Sequence, residues 1–231
     1  MRSVLLILVS SAAFSSAIAD EPPQKTAPNG PPTFAIDLAG FAELEAPLPY
    51  AFEGAEADAR VLVFSAWSAA TERSVTFLVL DPRTGKTLET FGPIHQSAAG
   101  GGERSTSEEA VAATQKRLDA YLASRRLRPA SQGVDDDGKH SAPVRNLVVK
   151  ADKAGVVAEM VIDGKPVSRK VKVGVPKAMK SLCEGEPIER SLAALEYDDT
   201  VPWAVATVSF TCGSEDDPLA TFGVPVIIDL R

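Results

Sequence analysis

The chain has 231 residues, 45% hydrophobic, 24% charged and 6% aromatic, with 16 glycines, 17 prolines and a formal net charge of −7. Those values lie near the averages for globular domains, which excludes wholesale disorder, a collagen-like fibre and a multi-span membrane protein. They name no reaction; they leave a compartment, a fold class and a charge layout to be read.

Residues 1–19 read as a secretory signal. Arg2 is a short positive region, Val4–Val9 opens an apolar run, and Ala17 and Ala19 are the small residues a signal peptidase inspects, so cleavage is expected before Asp20. The apolar run is interrupted by Ser10 and Ser11 and falls short of the roughly 20 residues that span a bilayer. The expected product is a soluble chain in the periplasm or outside the cell, with no transmembrane segment. Residues 20–33 are rich in proline and polar groups and are expected to form a disordered leader. The rest, 34–231, reads as one β-rich domain with a point of sub-division near 130–143.

A first short strand is expected at Phe34–Leu38. Arg60–Trp67 and Ser74–Asp81 are β-branched and aromatic, as strands prefer. Asp81-Pro82-Arg83-Thr84-Gly85 is a turn leading to a third strand, Lys86–Phe91. The Gly-rich joint Ser97–Arg104 precedes the one clear helix, near 107–127. Thr106 and Glu109 have capping-box spacing, with Ser107 as a rival cap. Val111, Thr114, Leu118, Tyr121 and Leu122 fall on one face, Arg125, Arg126 and Arg128 crowd its expected C-terminal end, and Pro129 is the expected stop. Ser131–Pro143 reads as a polar loop. Val144–Lys150, Val156–Ile162 and Pro166–Val173 read as strands, with Asp163-Gly164 signalling a type I′ hairpin. Trp203–Phe210 and Thr221–Leu230 complete about eight strands and one helix. The fold class is α+β, β-rich, with antiparallel sheets.

Cys183 and Cys212 are the only cysteines. An even count in an exported chain points to a disulfide. Two thiols without a neighbouring histidine make a poor zinc set, and a redox pair would be closer together.

Charge comes in blocks. Residues 20–100 are net −6, 101–182 net +6 and 183–231 net −8. Lys165, Arg169, Lys170, Lys172, Lys177 and Lys180 form a candidate anion-binding face, since no acid occurs from Gly164 to Cys183. Envelope polyanions, or another envelope protein, are the partners this suggests. Against it, the basic block can lie on the acidic flanks or solvate a strand and blunt a sheet edge. The acidic overall balance and the lack of interleaved aromatic residues argue against nucleic acid.

Chemistry is harder to find. G-x-S-x-G, H-E-x-x-H and a phosphate-cradling loop do not occur; Gly100-Gly101-Gly102 lacks the Lys-Ser/Thr pair and reads as a hinge. No cofactor is implied and no catalytic residue is assigned. Asp135 and Asp137 are the nearest approach to a calcium loop, with Gly138 at its sixth place. Gly133 and Val144 then fall at the first and twelfth places, where oxygen ligands are required. Asp198-Asp199 and Glu215-Asp216-Asp217 read as solvated turns. A binding or scaffolding role in the cell envelope is the leading function. The alternative is a secreted hydrolase using His95 or an acid pair. Ser97 and Ser141, beside His95 and His140, do not make a triad by sequence proximity.

Ala57-Asp58-Ala59-Arg60-Val61-Leu62-Val63-Phe64, with Val75–Asp81 and Thr84-Gly85-Lys86, resembles one blade-type hairpin of the propeller proteins. With the Ala-rich helix and the strand Val205-Ala206-Thr207-Val208-Ser209-Phe210, the same start is similar to a family of bacterial predicted secreted proteins of unknown function. The likeness covers about half the chain and departs at Ala59, where a turn glycine is usual. It carries no active-site residue and no substrate.

Overall fold

The structure, a computed structural model, describes residues 50–52, 59–69, 72–97, 105–213 and 218–231. The expected signal, leader and Phe34–Leu38 strand, the Gly100–Gly102 hinge and Glu215–Asp217 lie outside them. Within them the chain is β-rich and antiparallel, built as two sheets with one main helix.

The first sheet begins with β1 (Tyr50–Phe52), β2 (Val61–Ala69), β3 (Glu72–Leu80) and β4 (Thr87–Ser97). β2–β3–β4 is an antiparallel meander. Between β3 and β4, Gly85 takes φ +67° and Asp81 accepts hydrogen bonds from the Arg83 N–H at 2.9 Å and the Thr84 hydroxyl at 2.7 Å. α1 (Glu108–Ala123) lies on this meander and buries Val111, Leu118, Tyr121 and Leu122 against Leu62, Val75, Phe77, Val79, Phe91 and Ile94. Its cap is Ser107, whose hydroxyl accepts from the Ala110 N–H. Thr106 is not the cap: its Oγ1 accepts from the His95 N–H at 2.8 Å and its own N–H donates to the His95 carbonyl at 3.0 Å, tying the helix entry to β4.

The helix stops at Ala123 rather than near 127. Local charge and propensity lose here to strand pairing, because β5 (Leu127–Pro129) pairs with β1 and β6 (Ser131–Gln132) pairs with β12 (Ile188–Tyr197). Gly133 then carries the chain to the second sheet. A Cβ there would come within 2.8 Å of the Ser141 carbonyl and 3.1 Å of Leu195, so only glycine fits the crossing. The expected polar loop 131–143 is therefore β6 together with β7 (Val134–Asp136) and β8 (Lys139–Ala142). β7 is exposed along its length, so it carries none of the apolar alternation that marks a half-buried strand. A 3₁₀ turn at Val144–Asn146 delays β9 (Leu147–Asp152) past its expected start. β10 (Gly155–Ile162) and β11 (Lys165–Lys172) follow, joined by Asp163 (φ +50°) and Gly164 (φ +74°), the expected type I′ geometry.

The second sheet has the order β11–β10–β9–β8–β7. Its inner face, with Val149, Val156, Ala158 and Met160, packs on β12, β13 (Trp203–Gly213) and β14 (Pro218–Asp229) in the largest core. A second helix absent from the sequence reading, α2 (Lys177–Leu182), seats Met179 in that core. Cys183 follows it and is bonded to Cys212 of β13, with Cα atoms 6.0 Å apart. No described helix is long and apolar enough to cross a membrane.

The first sheet curls. Pairing runs β2–β14–β13–β12–β6, one residue (Ala130) separates β6 from β5, and β5 pairs with β1, which returns to β2. The ring surrounds a small third core of Val61, Val63, Leu80, Trp203 and Val205, with Ile227 against it.

Candidate functional site

Glu196 stands out in this ring. It is 0% exposed and neither carboxyl oxygen has a hydrogen-bond partner. A β-bulge puts it there. Leu192 opposes Val208 while Ala194 opposes Thr207, so Ala193 is the extra residue. Strand side chains alternate between faces, and one extra residue reverses the alternation. Without the bulge Glu196 would share the face of Leu192, in the large core. With it, Glu196 lies opposite Val205, facing the small core.

Its cavity holds about 10 Å³ of water-accessible space, room for one water molecule. Val61, Ala130, Val201, Trp203 and Val205 line it, with Tyr197 and Asp198 at the end of β12. The Trp203 indole nitrogen is also buried without a hydrogen-bond partner. Loss of hydration in this apolar setting disfavours the charged form and pushes the Glu196 pKa up to about 8, so the side chain is mostly a neutral acid at pH 7. Asp198 points away to other partners: Oδ2 lies 3.3 Å from Arg128 of β5, and Oδ1 accepts from the Thr200 N–H at 2.8 Å. Asp199 is exposed.

The residues singled out from sequence fall elsewhere. His95, half-buried on β4, places Nδ1 3.2 Å from Glu72. His140 is buried, with Nε2 3.3 Å from the Leu192 carbonyl and 3.8 Å from Asp135. Ser141 is its strand neighbour and so points to the other face. Asp135 lies on β7, and Asp137 (φ +51°) with Gly138 (φ +74°) is the turn of a two-residue hairpin. Among the described residues no group of three or more His, Cys, Asp or Glu could hold a metal ion.

The six basic residues are not brought to one surface. Lys170 and Lys172 share the outer face of β11. Arg169 has the opposite parity and reaches the end of β14, where it lies 3.6 Å from Asp229 and bonds the Arg231 carbonyl. Lys165 is at the hairpin tip, and Lys177 and Lys180 belong to α2. What the second sheet assembles instead is a cross-strand row over all five strands: Asp136, Lys139, Lys150, Val157 and Lys170. Lys150 is paired with Glu159 at 2.9 Å, and Val134 beside the row is 69% exposed.

A larger open recess of about 660 Å³ lies at the β9–β10 turn. Its wall includes Arg190, which sits 4.9 Å over the Phe210 ring and donates to the carbonyls of Asp152, Lys153 and Val173.

Sequence reasoning missed Glu196. The available signal was a carboxylate inside the apolar run Leu192–Tyr197; the bulge that gives it a distinct environment shows in the sequence only as a break in alternation. Set against family models, curated proteins and solved structures, the chain matches none of them.

Proposed function

We propose that the chain is an exported binding or scaffolding protein of the cell envelope, active in an oxidising compartment, and that it meets its partner through the outer face of the second sheet. The observation that carries this is the cross-strand row of Asp136, Lys139, Lys150 and Lys170, which passes over the buried Val157 on the outer face of the second sheet. Charges of both signs at fixed spacing suit a complementary protein surface, where they set register and orientation. The acids Asp136, Asp152 and Glu159 on the same face make it a poor match for a uniform polyanion. The Cys183–Cys212 bond supports export, since such bonds persist outside the reducing cytosol.

The test compares wild type with Lys139→Glu/Lys170→Glu for capture of envelope proteins and for retention on heparin. Partner capture lost in the variant, with negligible heparin retention by wild type, supports the reading. Capture unchanged by the charge reversal overturns it.

A hydrolase remains the second reading, on one observation: Glu196 and Asp198 line the same cavity, and burial pushes the Glu196 pKa up. Turnover of an ester, glycoside or peptide substrate that Glu196→Gln abolishes would establish it. The single-water cavity argues against substrate entry.

A further inference from the structure

Ring closure over Glu196 is thin. β12 meets β13 along nine paired positions, but meets β6 at only two, Glu196 with Gln132 and Tyr197 with Ser131. The Gly133 N–H adds a bond to the Leu195 carbonyl at 2.7 Å, β5 adds three pairs to β1, and Arg128 adds its contact with Asp198. Between β5 and β6, Ala130 forms part of the cavity wall, so this strap is the lid over the carboxyl.

In an apolar cavity with room for one water a neutral carboxyl costs far less than a carboxylate, which needs fuller hydration or a cation. Among the described residues, the charged or titratable groups around the cavity are few. Tyr197 and Asp198 line it, Arg128 of the strap is engaged by Asp198, and Asp229, opposite Trp203 on β14, is engaged by Arg231. The other sides present Val61 from β2, Val201 from the preceding turn and Val205 from β13. Among the described residues no cation stands ready for the ionised group. Hydrating it beyond the single water the cavity can hold requires one wall to move, and the strap is held by fewer pairs than the β12–β13 ladder.

We infer that the strap Leu127–Gln132 is a proton-controlled latch: it stays docked over Glu196 while that side chain is a neutral acid, and lifts when the side chain ionises. Lifting uncovers Val61, Val201, Trp203 and Val205, a small apolar surface hidden in the closed form. The inference is independent of what the second sheet binds.

Linkage fixes the pH window. The closed form holds the proton up to about pH 8, whereas a hydrated glutamate releases it near 4.5. Opening is therefore least favourable below 4.5, grows by at most about ten-fold per pH unit as pH rises, and levels off above 8. Hydrogen exchange at the Ser131 and Gly133 amides of the full chain, corrected for intrinsic rates, reads this directly at pH 5.5 and 8. Expected is a loss of protection of at least about ten-fold at these amides between the two pH values. Amides of β10 should not change, and Glu196→Gln should remove the dependence. Equal strap protection at both pH values in wild type overturns the latch, and needs no variant. An equal loss throughout the chain overturns it too, because that is global destabilisation. A pH dependence that survives Glu196→Gln assigns the effect to another group and also overturns it.

Discussion

The two cores that flank β12 and β13 are built on opposite terms. On one face, Leu195, Ala206, Val208, Phe210 and Cys212 join the second sheet and α2 in a core dominated by apolar side chains and crossed by a disulfide. On the other, Trp203 and Val205 share a much smaller space with a buried acid and an unpartnered indole nitrogen. The same two strands thus carry one region packed mainly from apolar side chains and one that encloses an acid. The difference comes from one extra residue, Ala193, which turns Glu196 away from the first core and into the second.

The largest effect should come from removing the proton dependence of that acid. Glu196 is raised from 4.5 to about 8 in the folded chain, so its contribution is intact below pH 4.5 and is lost progressively as pH rises to about 8. The fall is roughly 3–5 kcal/mol for a shift of this size in a fully buried group. Urea denaturation of wild type between pH 4.5 and 8.5 should show that decline superimposed on the titration of other groups. Glu196→Gln should lack it, and its stability should exceed wild type most at the alkaline end. Parallel curves for the two proteins would remove the contrast between the cores.

Breaking the disulfide probes the other region. Cys183–Cys212 closes a loop of separation 29, for which chain entropy gives about 3.6 kcal/mol. Cys183→Ser/Cys212→Ser should lose about that much in chemical denaturation, by the same amount at pH 5 and at pH 8. Of comparable size, Met179→Ala in α2 deletes a fully buried side chain of the same core and should cost about 2–5 kcal/mol, again without pH dependence. If either cost changed strongly with pH, the two cores would be coupled through β12 and β13 rather than separable.

What could be read from the sequence follows the range of the forces involved. The β2–β3–β4 meander was legible because Val61–Phe64, Val75–Leu80 and the Asp81–Gly85 turn each declare themselves within a few residues. The Asp163-Gly164 hairpin was legible for the same reason, and the α1 face because Val111, Leu118, Tyr121 and Leu122 recur at helical spacing. The failures all depend on distant partners. Arg125–Pro129 looked like a helix end, but Leu127–Pro129 pairs with Tyr50–Phe52, far away in sequence. Ile188–Tyr197 drew no strand reading because bulge and acid break its alternation. The basic block looked like one surface, yet strand parity sends Arg169 to Asp229 and leaves Lys170 outside. The candidate site was the least legible feature, since it requires a bulge, a strap and a ring closure together.

The smallest effect tests how the strap is held. Arg128 and Asp198 are 3.3 Å apart and partly exposed, so solvent screening limits the pair to about 1 kcal/mol. Arg128→Gln should therefore lower overall stability only slightly. A double-mutant cycle with Asp198→Asn should return a coupling of about 0.5–1 kcal/mol. At the strap amides the variant should exchange faster than wild type at every pH by a constant factor. The steepness with pH should not change, because the group that binds the proton is Glu196 and not this pair. A steepness altered by Arg128→Gln would mean that Arg128 leaves Asp198 to neutralise the ionised Glu196. The cavity would then be rescued by charge compensation with the strap in place, and the contrast between the two cores would have to be redrawn around that arginine.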